Sequence, residues 1–174
     1  MRPADKAGQV LRDMGRGDRA GSGGRKPGGT VLKAQPKKKK AKKLTVTKVQ
    51  DAVNKAIRER DEYCMIGDGV HTCKGILTAS HYYPVGGNST FRFYPPNIHA
   101  QCLGHHGIHE RKQEPFFYRR WMQEHYPDDL EFMETHWHAQ VRYSQPVLRD
   151  IYDLARRGAL DELAAYIRAL IVNG

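Results

Sequence analysis

Residues 64–112 read CMIGDGVHTCKGILTASHYYPVGGNSTFRFYPPNIHAQCLGHHGIHERK, and this stretch decides the fold. It holds all three cysteines of the chain and six of its nine histidines: His71, His81, His99, His105, His106 and His109. Soft and borderline ligands crowded into a short, glycine-rich segment are costly unless an ion binds them. A zinc ion accepts both thiolate and imidazole and holds small loop-rich folds together. Cys102 and His105 form a C-x-x-H knuckle. With Cys64 and Cys73 they make the best set of four ligands for one structural Zn2+, with His71 as an alternative to Cys73 and His109 as an alternative to His105. The usual first knuckle would be C-x-x-C. Gly67 stands where its second cysteine belongs, so the second ligand stays open.

Turn signals at Gly67-Asp68-Gly69, at residues 84–88 and at Pro95-Pro96 punctuate this stretch. Between them the sequence predicts short strands at residues 76–83 and 91–94. A third, at 98–101, runs into the knuckle, and HGIHERK after it has helical composition. Strand, loop, strand and helix around a metal make a ββα-metal architecture. Within it His81, Asn97 and His106, in that order and with those gaps, resemble the three signature positions of HNH nucleases.

The chemistry such residues serve is phosphodiester hydrolysis. A water must lose a proton near neutral pH, and imidazole has the pKa for that work. His81, at a strand end, is the natural general base. Asn97 can hold that imidazole in one tautomer without adding negative charge beside a phosphate. His106, at the helix start, can hold a catalytic Mg2+ or Mn2+ that neutralises charge building on the phosphate. His109, three residues on, is a second ligand or a phosphate donor. His99 alternates with Ile98 and is expected on the same side as Asn97, as a further site residue. Arg92, Arg111 and Lys112 are candidate phosphate contacts.

A chain of 174 residues suggests one domain, at most one plus a tail. No apolar run approaches the roughly 18–20 residues that cross a membrane, and the N-terminus lacks the apolar core of a secretory signal. An odd cysteine count argues against a disulfide framework and for a reducing, cytoplasmic setting. The net charge is +10, and it is unevenly placed. Residues 1–43 carry nine Lys and five Arg against three Asp, whereas the remainder is nearly neutral. That first segment has no aromatic residue and too few apolar ones to offset the entropy of ordering, so a disordered basic tail is expected. Its PKKKKAKK run, with Lys37, Lys38, Lys39 and Lys40, reads as a phosphate-seeking arm that gains affinity by counterion release.

The rest reads as helix. Val46, Val49, Ala52, Val53, Ala56 and Ile57 recur at spacings of three and four, so a helix is predicted over residues 45–62, capped by Thr45 or Thr47. Further helices are expected from Phe116 to near Tyr126, from Asp128 or Asp129 through Met133, from Gln145 to about Gly158, and from Asp161 onward. The expected class is α+β: a small zinc-stabilised ββα-metal core packed with flanking helices. Its divisions are a tail at 1–43, a helix and nuclease core at 44–115, and a helical region at 116–174. The helices also offer a surface for a homodimer.

IRERDEYC (57–64), ASHYYPVGGNSTFRF (79–93), NIHAQC (97–102) and FYRRWMQEHYPDDLEFME (117–134) together resemble the NinG family of phage recombination proteins, whose lambda member is also called Rap. The resemblance covers residues 50–140. It implies a phage-encoded, structure-specific endonuclease acting on branched DNA, with recombination proteins of host or phage as further partners. It carries His81, Asn97, His99 and His106 over as site positions, and Cys64, Cys102 and His105 as zinc positions. The chain departs from the family at Gly67, at His105 in place of the usual knuckle cysteine, and at His106, where Asn is commoner. Ser80 stands where many HNH enzymes place an Asp ligand, which leaves more of the catalytic ion's shell to water. Two other readings stand beside this one: an HNH endonuclease without branch preference, and a non-catalytic zinc module that binds nucleic acid.

Overall fold

In the computed structural model, which describes residues 43–67, 72–111 and 115–174, the first element is set by Thr45. Its hydroxyl accepts the Lys48 N–H at 3.2 Å, satisfying a donor that the first turn leaves open. Helix α1 (Val46–Asp61) then buries Val49, Val53, Ala56 and Ile57, the spacing read in the sequence. It stops at Glu62, which takes a left-handed φ of 60°.

Two five-residue strands follow, β1 (Leu77–His81) and β2 (Ile98–Cys102). They pair antiparallel, Leu77 opposite Cys102 and His81 opposite Ile98. Helix α2 (Leu103–Arg111) begins directly after β2. The expected strand at residues 91–94 does not form. Residues 89–93 turn instead, with Arg92 N–H on Ser89 O and Tyr94 N–H on Phe91 O. The reason is hydrophobic: the turns send Phe91, Phe93 and Tyr94 all into the core, whereas a strand would put alternate residues on opposite faces. Pro95-Pro96-Asn97 then makes one 3-10 turn.

A two-stranded sheet leaves each strand an unpaired edge. The outer edge of β2 is closed by the end of α1 and the chain just after it. Arg60 donates to Ile98 O at 2.9 Å, and the Asp61 carboxylate accepts the Ala100 N–H at 2.6 Å. Met65 N–H donates to Ala100 O at 2.8 Å, and Cys102 N–H donates to Cys64 Sγ at 3.3 Å. Asp61 is buried, and its charge is met by the Arg60 guanidinium at 3.0 Å.

Helices α3 (Pro115–His125), α4 (Pro127–Thr135), α5 (Gln145–Arg156) and α6 (Leu160–Asn173) complete the described residues. The break between α5 and α6 is a Schellman stop. Gly158, at φ +68°, donates to Ala155 O and Ala159 donates to Leu154 O. Leu148 and Ile151 of α5 and Leu163 and Ile167 of α6 join α1 and the aromatic turn in one core. Arg168 of α6 binds both Asp129 of α4 and the Tyr94 hydroxyl, tying the C-terminal helices to the turn. No described helix is long and apolar enough to cross a membrane.

Asp61→Ala should test the edge closure. It orphans the Ala100 N–H and leaves Arg60 without its carboxylate, so a loss of about 3–5 kcal/mol is expected. The check is the urea midpoint. A shift worth under about 1 kcal/mol would mean that water serves that edge as well as the carboxylate does.

Candidate functional site

Cys64 leaves α1 within three residues, Cys73 precedes β1, and Cys102 with His105 straddles the junction of β2 and α2. Their four donor atoms lie within 4.8 Å of one another. His105 Nδ1 is 3.3 Å from Cys64 Sγ, 3.6 Å from Cys73 Sγ and 3.3 Å from Cys102 Sγ. A tetrahedral zinc site has legs of about 2.3 Å to sulfur and about 2.0 Å to nitrogen, which sets its S···N edges at roughly 3.5 Å. The four residues can therefore hold one metal ion such as zinc, with Cys73 among its donors. His71 itself lies outside the described residues.

The backbone around the cluster is arranged for thiolates. Lys74 and His105 each point an N–H at Cys102 Sγ, at 3.4 and 3.5 Å. Burial raises the Cys102 thiol, but these two bonds and those from Cys64 and Cys73 outweigh it and bring it down to about 6. Cys64 goes the other way. Burial pushes it up to about 12, with the neighbouring Cys102 and Cys73 charges adding to the rise against a Cys102 N–H bond. A divalent cation bound here would offset the burial that holds the Cys64 proton on. The loop before β1 fits tightly against this junction. Gly75 sits at φ +80°, and a Cβ there would meet Leu103 Cβ at 3.1 Å, so only glycine suits the position.

At the other end of the hairpin stands His81, half-buried. Its Nε2 lies 3.0 Å from Arg92 O. A carbonyl can only accept, so Nε2 carries the proton and Nδ1 keeps a lone pair. Burial lowers the His81 pKa below 6.5; the Arg92 carbonyl opposes this, and the Arg92 and His106 charges add to it. His106 is thus close enough to act on His81 electrostatically. Its Nδ1 is 3.3 Å from Thr78 Oγ1, which in turn donates to Gln101 O at 3.1 Å.

Two expected roles need correction. Asn97 does not touch the His81 ring. Its Oδ1 accepts the Tyr83 N–H at 2.8 Å, and its Nδ2 donates to Tyr83 O and to Phe91 O at 3.2 and 3.1 Å. It clamps the base of the loop that presents Arg92 O, and so orients His81 through one intervening carbonyl. His99, expected as a further site residue on the side of Asn97, is enclosed. It is fully buried, its Nδ1 is 2.9 Å from the Tyr118 hydroxyl, and its ring meets Trp121 and Tyr126 edge to face or tilted. The physical reason is the pleat: His99 pairs with buried Ser80 on a sheet face that α3 covers. Lys37, Lys38, Lys39, Lys40, Lys112 and the side chains of His109 and Arg111 lie outside the described residues.

Three residues that position the site were not singled out in the sequence. Asp61 carried a signal: a carboxylate in the last turn of a helix opposes the macrodipole and calls for a partner. Thr78 and Tyr118 carried none, because a hydroxyl in a strand or an aromatic helix reads as ordinary packing.

Purified protein should carry one Zn2+ per chain by elemental analysis. Cys102→Ser should carry none and should be unfolded or insoluble, since a structural zinc contributes folding free energy on the order of 10 kcal/mol. Folded wild-type protein free of bound metal would overturn the ligand set.

The sequence matches the family model described as the bacteriophage lambda NinG protein over residues 26–160, a span that contains every described site residue above. No curated protein and no solved structure matches the chain. A match over well more than half the chain settles membership: the chain belongs to the family of the bacteriophage lambda NinG protein.

Proposed function

We propose that this protein is a metal-dependent HNH-type endonuclease that hydrolyses DNA phosphodiester bonds, with branched recombination intermediates as its substrates. Membership of the NinG family suggests a role in phage recombination, carried out in the host cytoplasm. The observation that carries the catalytic part is His81: one nitrogen committed to Arg92 O, the other with its lone pair kept, and a pKa below 6.5. A base in that state is neutral at pH 7 and ready to take a proton.

In this reading His81 Nδ1 takes the proton of the attacking water, and Asn97 keeps the ring in place through the loop. His106 would hold a divalent ion, Mg2+ or Mn2+, which when bound supplies charge neutralisation at the scissile phosphate. His106 is assigned this role from its place in the first turn of α2, directly after β2. Such ions prefer oxygen, so water and phosphate would fill most of the shell. Arg92, beside the base, would meet a flanking phosphate. His99 belongs to the support of the site rather than to its chemistry, because burial keeps it from substrate. A DNA partner is supported by the basic excess of residues 1–43, which lies on the same chain.

His81→Ala should keep its zinc and fold, yet lose roughly 10²–10⁴-fold in single-turnover cleavage at saturating branched DNA. The pH profile should carry the same signature. Because the folded pKa is lowered, the base form persists through neutrality, and the rate should fall only below pH 6.5. Between the lowered and the ordinary value the unfolded chain binds more protons, so stability should also decline with acid there. A His81→Ala protein that cuts at the wild-type rate would remove this mechanism.

A further inference from the structure

Among the described residues three buried side-chain acceptors have no hydrogen-bond partner: Gln50 Oε1, His99 Nε2 and Gln101 Oε1. Gln50 lies on α1, with its Nε2 donated to Asn54 at 2.8 Å. The His99 ring is packed against Trp121 and Tyr126. Gln101 differs from both in its neighbours. It is 1% exposed. A buried carboxamide oxygen without a donor loses its hydration, and no hydrogen bond replaces it. Leucine or methionine would fill the same space without that loss, so the oxygen calls for a positive partner.

Gln101 of β2 is paired with Thr78 of β1. Directly opposed residues put their side chains on one face, with β-carbons about 4.5–5.5 Å apart. Thr78 also meets His106, its Oγ1 3.3 Å from His106 Nδ1. The hydroxyl has a single hydrogen, and Gln101 O takes it at 3.1 Å. Towards His106 the hydroxyl oxygen therefore accepts, so Nδ1 carries the ring hydrogen and Nε2 the lone pair. An imidazole that ligates a metal commonly donates its other N–H to an oxygen in this way, which fixes its tautomer and orientation. Thr78 thus touches both the residue with the unpartnered oxygen and the imidazole assigned to the divalent ion.

Mg2+ and Mn2+ take oxygen donors by preference. A carboxamide oxygen is such a donor, and unlike a carboxylate it adds no negative charge beside a phosphate. We infer that Gln101 Oε1 is an oxygen ligand of the divalent ion assigned to His106. The ion gives the oxygen the positive partner it lacks, and the oxygen gives the ion a protein donor of its preferred kind. This rests on the nuclease reading in taking His106 as an ion holder, and adds that β2 as well as α2 supplies the site. Its physical signature is a residue that weakens the fold without the ion and strengthens it with the ion, which an ordinary core residue does not do.

The test is Mn2+ binding to full-length, zinc-loaded protein without DNA, read from the electron paramagnetic resonance signal of free Mn2+, alongside urea unfolding. Wild-type protein should take up one Mn2+ per chain. Gln101→Met keeps the length of the side chain and removes its polar atoms. It should weaken Mn2+ binding by at least about tenfold, while its urea midpoint without Mn2+ stays level or rises. Added Mn2+ should raise the wild-type midpoint more than that of the variant. Gln101→Glu keeps an oxygen and adds charge, so it should bind Mn2+ at least as tightly as wild type. A Gln101→Met protein with wild-type Mn2+ affinity, or one that unfolds at lower urea, would overturn the ligand. So would a Gln101→Glu protein that binds Mn2+ no better than Gln101→Met. His106→Ala separates this inference from the reading beneath it. If His106→Ala weakens Mn2+ binding and Gln101→Met does not, the ion stays with His106 and the ligand falls. If both weaken it and the wild-type protein cuts no DNA, the ligand stands and the nuclease reading falls.

Discussion

The outer edge of β2 is the constraint on which the rest depends. A five-residue, two-stranded hairpin is not stable alone in water, and half of β2's ladder groups face away from β1. Those groups are met in sequence by Arg60, Asp61, Met65 and Cys64. The end of α1 thus acts as a third strand made largely of side chains. One consequence is positional. Closing the edge delivers Cys64 to the cluster, because the thiol that accepts the Cys102 N–H is also one of the four donors that could hold a metal ion.

The hairpin separates two tasks by its length. Four steps of about 3.4 Å separate the Leu77–Cys102 end, where the metal ligands meet, from the His81–Ile98 end, where the candidate base stands. Helix α2 starts at the metal-ligand end and carries His106 as well as His105. His105 and His106 are consecutive and so point about 100° apart around the helix. One turns to the three thiols and the other to Thr78. Fixing His105 by ligation therefore fixes His106 in azimuth and height. A metal held at the cluster would in this way set the geometry of the neighbouring imidazole. The aromatic turn does the same for His81 by way of Asn97 and the Arg92 carbonyl.

Much of this was legible in the residues. Periodicity gave α1 and its buried face, and the glycine at 158 gave the break between α5 and α6. The crowding of Cys and His named all four members of the metal cluster, since few other residues explain such density. What sequence reading lost was direction. Phe91 and Phe93 alternate like a strand, but turns bury both of them together with the adjacent Tyr94. His99 was grouped with Asn97 because the two sit two residues apart on one strand. Its face is decided by α3, nineteen residues away at Tyr118. The partner of Asn97 is a loop backbone, and backbone partners leave no mark on composition. Asp61 was readable in principle, as an acid at the wrong end of a helix.

The measurement that tests the central claim most directly is cleavage of linear, forked and four-way DNA of matched sequence by purified full-length protein with Mg2+ or Mn2+. The account predicts hydrolysis that requires the divalent ion and favours the forked and four-way forms over the linear duplex. Metal-loaded, folded protein that binds all three and cuts none would contradict it, and would leave the cluster as the centre of a nucleic-acid-binding module without catalysis.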